Sequence, residues 1–149
     1  MKTRLRHQPS EKGQSLVELA VSLLILLVIL AGVVEIGKLL FQYIAMRDAA
    51  QEGAVYASIY PTACNQTIER VRKSLYNADP TQVDVTVLVN GVACVNASAA
   101  DACANKTVKV TVDQPNYEIT MPFMGAILGG QTINVSASTT STILRPLCQ

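Results

Sequence analysis

Apolar residues fill one block of this chain and alternate with polar ones in three later stretches. From Leu19 to Val34 no residue is charged, and Ser22 is the one polar side chain. Sixteen helical residues span about 24 Å, a little short of a bilayer core. Leu16 and Val17 before the block, and Ile36, Leu39, Leu40 and Phe41 after it, lengthen the apolar stripe. The pattern predicts a single membrane-spanning helix. The competing reading is a buried core helix, but the remaining chain is too small and too polar to wrap it.

The same helix should start near Ser15 and continue to about Ser58, because the proline of Tyr60-Pro61 disfavours helix in the residue before it. Beyond Glu35 the pattern changes to a stripe at Ile36, Leu40, Tyr43, Arg47, Ala50, Ala54 and Ala57. Spacings of three and four place these on one helical face, with Lys38, Gln42, Asp48 and Glu52 opposite. This second half is expected to pack on a globular head through its alanines. A short second helix is predicted over Asn65–Asn77, with Asn65 as N-cap and Ile68, Val71, Leu75 and Tyr76 on one face. Asp79-Pro80 marks a turn.

Period-two alternation then takes over at Val83–Val89, at Val108–Val112 and at Ile133–Ser138, the last continuing towards Ile143. Such alternation predicts an antiparallel sheet with one covered face. Gln114-Pro115 should break a strand, Tyr117–Met121 is a candidate short strand, and Gly129-Gly130 a turn. The expected fold class is α+β: a long N-terminal membrane helix, then a small pilin-like head with a short helix and an antiparallel sheet. The divisions are a leader at 1–13, a membrane and assembly half at 14–35, an amphipathic half at 36–60, and an exported head at 61–149.

Charge orients the helix. Lys2, Arg4, Arg6 and Lys12 precede the apolar block, against Glu11 alone. The positive-inside tendency puts that end in the cytoplasm and the head outside. The whole chain carries a formal charge of +1, from twelve basic and eleven acidic side chains. Without residues 1–13, four basic and one acidic side chain fewer, eight face ten and the balance is −2. The basic leader is thus a topology signal, and no nucleic-acid partner is expected.

All four cysteines, Cys64, Cys94, Cys103 and Cys148, follow the membrane block. An even number on the exported side predicts disulfides. Four cysteines allow three pairings. Closeness in sequence favours Cys94–Cys103, leaving Cys64–Cys148. No metal site is expected, since the chain has no C-x-x-C pair and its one histidine, His7, is in the leader. No cofactor and no enzymatic activity are expected either. The exported part lacks histidine, and the chain shows no phosphate-binding glycine loop.

Gly13-Gln14-Ser15-Leu16-Val17-Glu18 stands between the leader and the apolar block. An ordinary signal peptidase needs small residues three and one before its cut. Around Ala31-Gly32 the −3 residues are the bulky Ile29 and Leu30, which disfavours removal of the whole block. A cut after Gly13 instead leaves Gln14 as the new terminus and Glu18 as the fifth residue. Glu18 admits two readings. With Ser15 it can form a capping box. Alternatively it pairs with the new α-ammonium of Gln14, in the same or a neighbouring subunit, and guides assembly.

This hexapeptide, the apolar helix, Val34-Glu35-Ile36-Gly37-Lys38 and Ala49-Ala50-Gln51-Glu52-Gly53-Ala54 together resemble the TadE family. These are pilin-like proteins of tight-adherence (Flp, type IV) pili. Pro122 and Gly129-Gly130 leading into Ile133–Ser138 are similar as well. The resemblance implies cleavage by a prepilin peptidase, storage in membrane lipid, and extraction by inner-membrane assembly machinery. Other pilin subunits are then the partners, in an extracellular adhesive filament. Type IV pilins often begin with an aromatic residue, where this chain would begin with Gln14. The alternative function is an uncleaved single-pass anchor displaying a binding head. Four sequons, at Asn65, Asn96, Asn105 and Asn134, are candidate glycosylation sites on the exported side.

Overall fold

A computed structural model of the protein describes residues 11–75, 82–121, 125–126 and 129–145. The leader residues Lys2, Arg4, Arg6 and His7, the end of the second predicted helix at Tyr76 and Asn77, the Asp79-Pro80 turn, Pro122 and Cys148 lie outside the described residues.

Helix α1 runs from Glu11 to Ile59, 49 residues, or about 73 Å. It stops just before Tyr60-Pro61, as expected. Its start lies four residues earlier than the sequence suggested. Ser15 therefore sits inside the helix, and a capping box at Ser15 and Glu18 has no free helix end to cap.

Helix α2 spans Cys64–Ser74. Ala63, not the expected Asn65, occupies the N-cap position, without a side-chain cap. The buried Thr67 instead returns its Oγ1 to the Ala63 carbonyl, at 3.0 Å. Four antiparallel strands follow in the order β2-β1-β3-β4. They are β1 (Asp84–Val89), β2 (Val92–Ala93), β3 (Thr107–Glu118) and β4 (Thr132–Thr142). The α+β class and the antiparallel sheet are as predicted.

Two turn details explain how the strands connect. Asn90 and Gly91 both have positive φ, 52° and 81°. Two such residues between paired strands match the twist of a tight hairpin, so β1 turns straight into β2. Pro115 does not break a strand, contrary to expectation. β1 stops pairing at Asp113, so beyond that point β3 pairs with β4 alone. A proline lacking its N–H is tolerated on such a local edge. The register shift between Gln114 and Tyr117 absorbs it, and pairing resumes at Tyr117↔Ile133.

The core lies between the upper half of α1, α2 and one face of the sheet. Met46, Ala50, Ala54 and Ala57 of α1 meet Val71 of α2 and the inward Val87, Val108, Val110, Val112, Val135 and Ala137. Gly53 is the point of closest approach: a Cβ there would collide with Val71 and stand 3.4 Å from Val110 Cγ1. Below Glu35 the large side chains from Leu16 to Val34 are exposed in the isolated chain. Among the described residues, one helix is long and apolar enough to cross a membrane.

The buried stripe corrects the predicted one in the middle of α1. Ala50, Ala54 and Ala57 do face the head. Ile36, Leu40, Tyr43 and Arg47 do not; they are exposed. Their places are taken by Glu35, Leu39, Gln42 and Met46. Gln42, expected on the solvent side, is 8% exposed. Polarity misled the assignment because these polar groups are buried with partners.

Candidate functional site

Three groups of residues along α1 carry the chemistry. At the N-terminal end, Gly13, Gln14, Ser15 and Glu18 occupy the first two turns and are exposed. Glu18 has no hydrogen-bond or ion-pair partner among the described residues. Its carboxylate stands directly before sixteen uncharged residues. The Gly13–Gln14 bond lies in the opening turn, whose first four N–H groups lack helical partners.

The second group is a polar clamp where the apolar block ends. Glu35 is 7% exposed. Its Oε1 accepts the Thr120 N–H at 3.0 Å, and its Oε2 accepts the Thr120 hydroxyl at 2.7 Å. Lys38 Nζ donates to Thr120 Oγ1 at 3.2 Å and lies 3.7 Å from Glu35 Oε2. Two turns above Glu35, Gln42 Nε2 donates to Gln114 Oε1 at 2.8 Å. Burial, and secondarily the charge of Glu35, raises the Tyr117 phenol above its usual value. A carboxylate out of water needs such donors, since each unmet buried group costs about 1–3 kcal/mol. The clamp fastens the end of the β3 segment to α1. Sequence reasoning missed it. The small residues Ala49, Ala50 and Gly53 mark the packed side of α1, and stepping down from them by three and four reaches Met46, Gln42 and Glu35.

The third group joins α1 to α2. Tyr56 donates its hydroxyl to Gln66, and the Arg70 guanidinium lies 4.6 Å over the Tyr56 ring. Arg70 also pairs with Glu52 at 3.7 Å, and Ser74 donates to Glu52. These contacts are exposed and orient the helices more than they stabilise them.

The cysteines correct the favoured pairing. Cys64, the first residue of α2, bonds Cys94, with Cα atoms 5.8 Å apart. Neither Cys94–Cys103 nor Cys64–Cys148 can then form. The β1–β2 hairpin brings Cys94 back over the start of α2, so residues 30 apart in sequence meet. Cys103 is also disulfide-bonded, and Cys148 lies outside the described residues. All four sequon asparagines are exposed. Asn65 lies within α2, Asn96 ends the 3-10 turn Cys94–Asn96, Asn105 holds a left-handed φ of 68°, and Asn134 sits on β4. The hydroxyl of Asn65's sequon, on Thr67, is buried and engaged. Among the described residues no group of His, Cys, Asp and Glu could hold a metal.

Residues 13–55 match the family model described as TadE-like protein. Within that stretch the long helix is similar to the TadE-like family. The match takes in Glu18, the helical side of the clamp at Glu35, Lys38 and Gln42, and the close approach at Gly53. It ends before Tyr56 and leaves α2 and the sheet outside. No curated protein and no solved structure matches the chain.

Proposed function

We propose that this TadE-like chain is a filament subunit, made as a single-pass membrane precursor with its N-terminus in the cytoplasm and its head outside. Residues 1–13 are the leader. A prepilin peptidase cuts between Gly13 and Gln14, and inner-membrane machinery then moves the mature chain, with other pilin subunits, into an adhesive surface pilus. One observation carries this reading: Glu18 is exposed, without a partner among the described residues, and placed at the foot of an apolar helix that the head leaves uncovered.

The chemistry follows from position. Opening the Gly13–Gln14 bond for a protease unwinds only the first turn, where few helical hydrogen bonds exist to be lost. The cut creates an α-ammonium four residues from Glu18. It also brings the helix start next to Ser15, so a cap by Ser15 and Glu18 becomes available only in the mature chain. Between subunits, one apolar helix exchanges lipid for another at little hydrophobic gain, so a polar pairing such as Gln14 ammonium to Glu18 can decide register.

Mass spectrometry of the native protein tests the proposal. A mature N-terminus at Gln14 is expected; an intact chain from Met1 to Gln149 would overturn it and favour the uncleaved anchor with a binding head. Glu18→Ala should still be cut but should enter filaments poorly. Normal filament yield from that variant would remove Glu18 from assembly.

A further inference from the structure

The apolar stripe expected to meet the head is left uncovered. Ile36, Leu40, Tyr43 and Arg47 recur at spacings of four, three and four, and all are exposed. Tyr43, the least open of the three apolar side chains, is still 43% exposed. Another flank of α1 holds a groove whose walls include Phe41, Ile44, Asp48, Glu52 and Ser74. Phe41 and Ile44 are 60% and 53% exposed. Each step along an α-helix turns about 100°. Stripe and groove therefore carry consecutive residues on two flanks: Leu40 and Phe41, Tyr43 and Ile44, Arg47 and Asp48.

Charge is divided in the same way. Arg47 and Asp48 are exposed, and neither has a hydrogen-bond or ion-pair partner among the described residues. Adjacent helical residues do not face one another, so the two do not pair within one chain. On the groove side, Asp48 and Glu52 stand four apart, a like-charge spacing that disfavours the helix unless a cation is near. Arg70 answers Glu52; Asp48 has no such neighbour among the described residues. Lipid does not cover this level. Ile44 and Asp48 lie about 15 and 21 Å past Val34, beyond a headgroup layer of about 5–8 Å.

A second copy of the chain fits both flanks at once. Two α1 helices in one membrane lie side by side and parallel. A shift of one residue, about 1.5 Å, brings Leu40 against Phe41, Tyr43 against Ile44 and Arg47 against Asp48 of the next copy, and the apolar blocks stay level.

We infer that α1 carries a subunit contact above the membrane: Leu40, Tyr43 and Arg47 of one copy seat in the groove at Phe41, Ile44 and Asp48 of the next. This deepens the reading of the chain as a filament subunit and rests on it. The two surfaces differ, so the contact is heterologous. Each copy keeps a free stripe on one side and a free groove on the other, and addition continues. Apolar contact supplies the attraction between helices. The Arg47–Asp48 pair sets which flank meets which, and at what height.

Charge reversal tests the contact in cells that carry the native assembly machinery, with sheared filaments as the readout. The mature N-terminus and the Cys64–Cys94 bond are checked in every variant. Arg47→Glu and Asp48→Arg should each still be cut after Gly13, and each should lower the chain's filament content about tenfold or more. The double variant Arg47→Glu/Asp48→Arg should recover most of it. Co-expression of the two single variants should do the same, because the reversed position 47 of one copy then meets the reversed position 48 of the other. Unchanged filament content in both single variants would overturn the contact. Loss in the single variants without recovery in the double variant or the mixture would overturn the second copy as occupant, in favour of a different pilin subunit. A second measurement needs no charge change. Leu40→Cys in one tagged copy and Phe41→Cys in another should be joined by a short bismaleimide in intact filaments; absence of that product would overturn the contact even where a reversed variant failed to fold. Absence of the unaltered chain from filaments would overturn the filament reading, and this contact with it.

Discussion

The two halves of α1 share one backbone and differ in everything that covers them. From Leu16 to Val34 the large side chains are exposed in the isolated chain, on every side of the helix. From Glu35 to Ala57 one face is buried against the head, and it is built from Ala49, Ala50, Gly53, Ala54 and Ala57 with two partnered polar groups. The lower half therefore takes its solvent from outside the chain: on the proposed function, first lipid and then other helices. The upper half takes its solvent from the head. Small residues suit the upper half because a sheet and a second helix must approach its backbone. Bulky Leu, Ile and Val suit the lower half because lipid makes no such demand. Changes in the upper half should thus be felt as folding stability, and changes in the lower half as membrane residence and assembly.

The largest test of that division removes the bridge that holds the head together. Cys64→Ser with Cys94→Ser should cost about 3.5 kcal/mol by loop entropy. Thermal unfolding in detergent should show the loss, while hydrogen exchange across Leu19–Val34 stays unchanged. Faster exchange in that lower segment would mean that the two halves are coupled. Next comes Gly53→Leu, which forces a side chain into Val71 and should cost about 3 kcal/mol. Gly37→Ala, sixteen residues below with nothing within 4 Å of its Cβ position, should be neutral or gain up to about 1 kcal/mol. Equal losses at the two glycines would place the head contact lower on α1 than the structure does.

The division was legible in the sequence, but its boundary was not. The charge-free block, the helix stop before Pro61 and the three alternating strands follow from periodicity, which depends on local order along the chain. The phase of the upper stripe does not. Ile36, Leu40 and Tyr43 are more apolar than Glu35 and Gln42, so hydrophobicity selected the wrong face. Thr120 and Gln114 pair with Glu35 and Gln42 across 85 and 72 residues, and no local pattern announces partners so distant. The Cys64–Cys94 bridge was missed for the same reason. The tight Asn90-Gly91 turn lies between two of the alternating stretches, and that turn is what carries Cys94 to α2. At the N-terminal end, sequence singled out Gly13, Gln14 and Glu18 as candidates. It did not anticipate that α1 would begin at Glu11, which leaves Ser15 and Glu18 no helix end to cap.

A medium effect should mark the boundary itself. Glu35→Ala removes the acceptor for the Thr120 N–H and hydroxyl and leaves those donors without their partner. The cost should be about 2 kcal/mol, with faster exchange at Ile119–Met121 before any change in the β1–β3 ladder. Gln42→Leu, which strands Gln114, should act in the same direction and less strongly. Unchanged exchange at Ile119–Met121 in Glu35→Ala would show that the sheet alone positions this segment, and the clamp would lose its place as the meeting point of the two halves.

The smallest effect contrasts a second carboxylate with Glu35. Asp101 accepts the Ser98 hydroxyl and N–H and the Asn90 side-chain amide, at 2.6, 3.0 and 3.1 Å. These partners lie within eleven residues, so Asp101 organises its own loop, whereas Glu35 joins distant elements. The Ser98 hydroxyl above all, then Asn90 and the Ser98 N–H, hold its carboxyl below the usual range. A folded-state pKa below the unfolded one means that the stabilisation is present above the unfolded value, about 3.9. It is lost as pH falls through the lower folded value. The thermal midpoint of the native chain should therefore exceed that of Asp101→Asn at pH 6, and the gap should narrow steadily below about pH 4. Because Asp101 is only half-buried, the gap should be the smallest of those considered. A gap that stays constant from pH 6 to pH 3 would mean that the Ser98 and Asn90 donors do not favour the charged form.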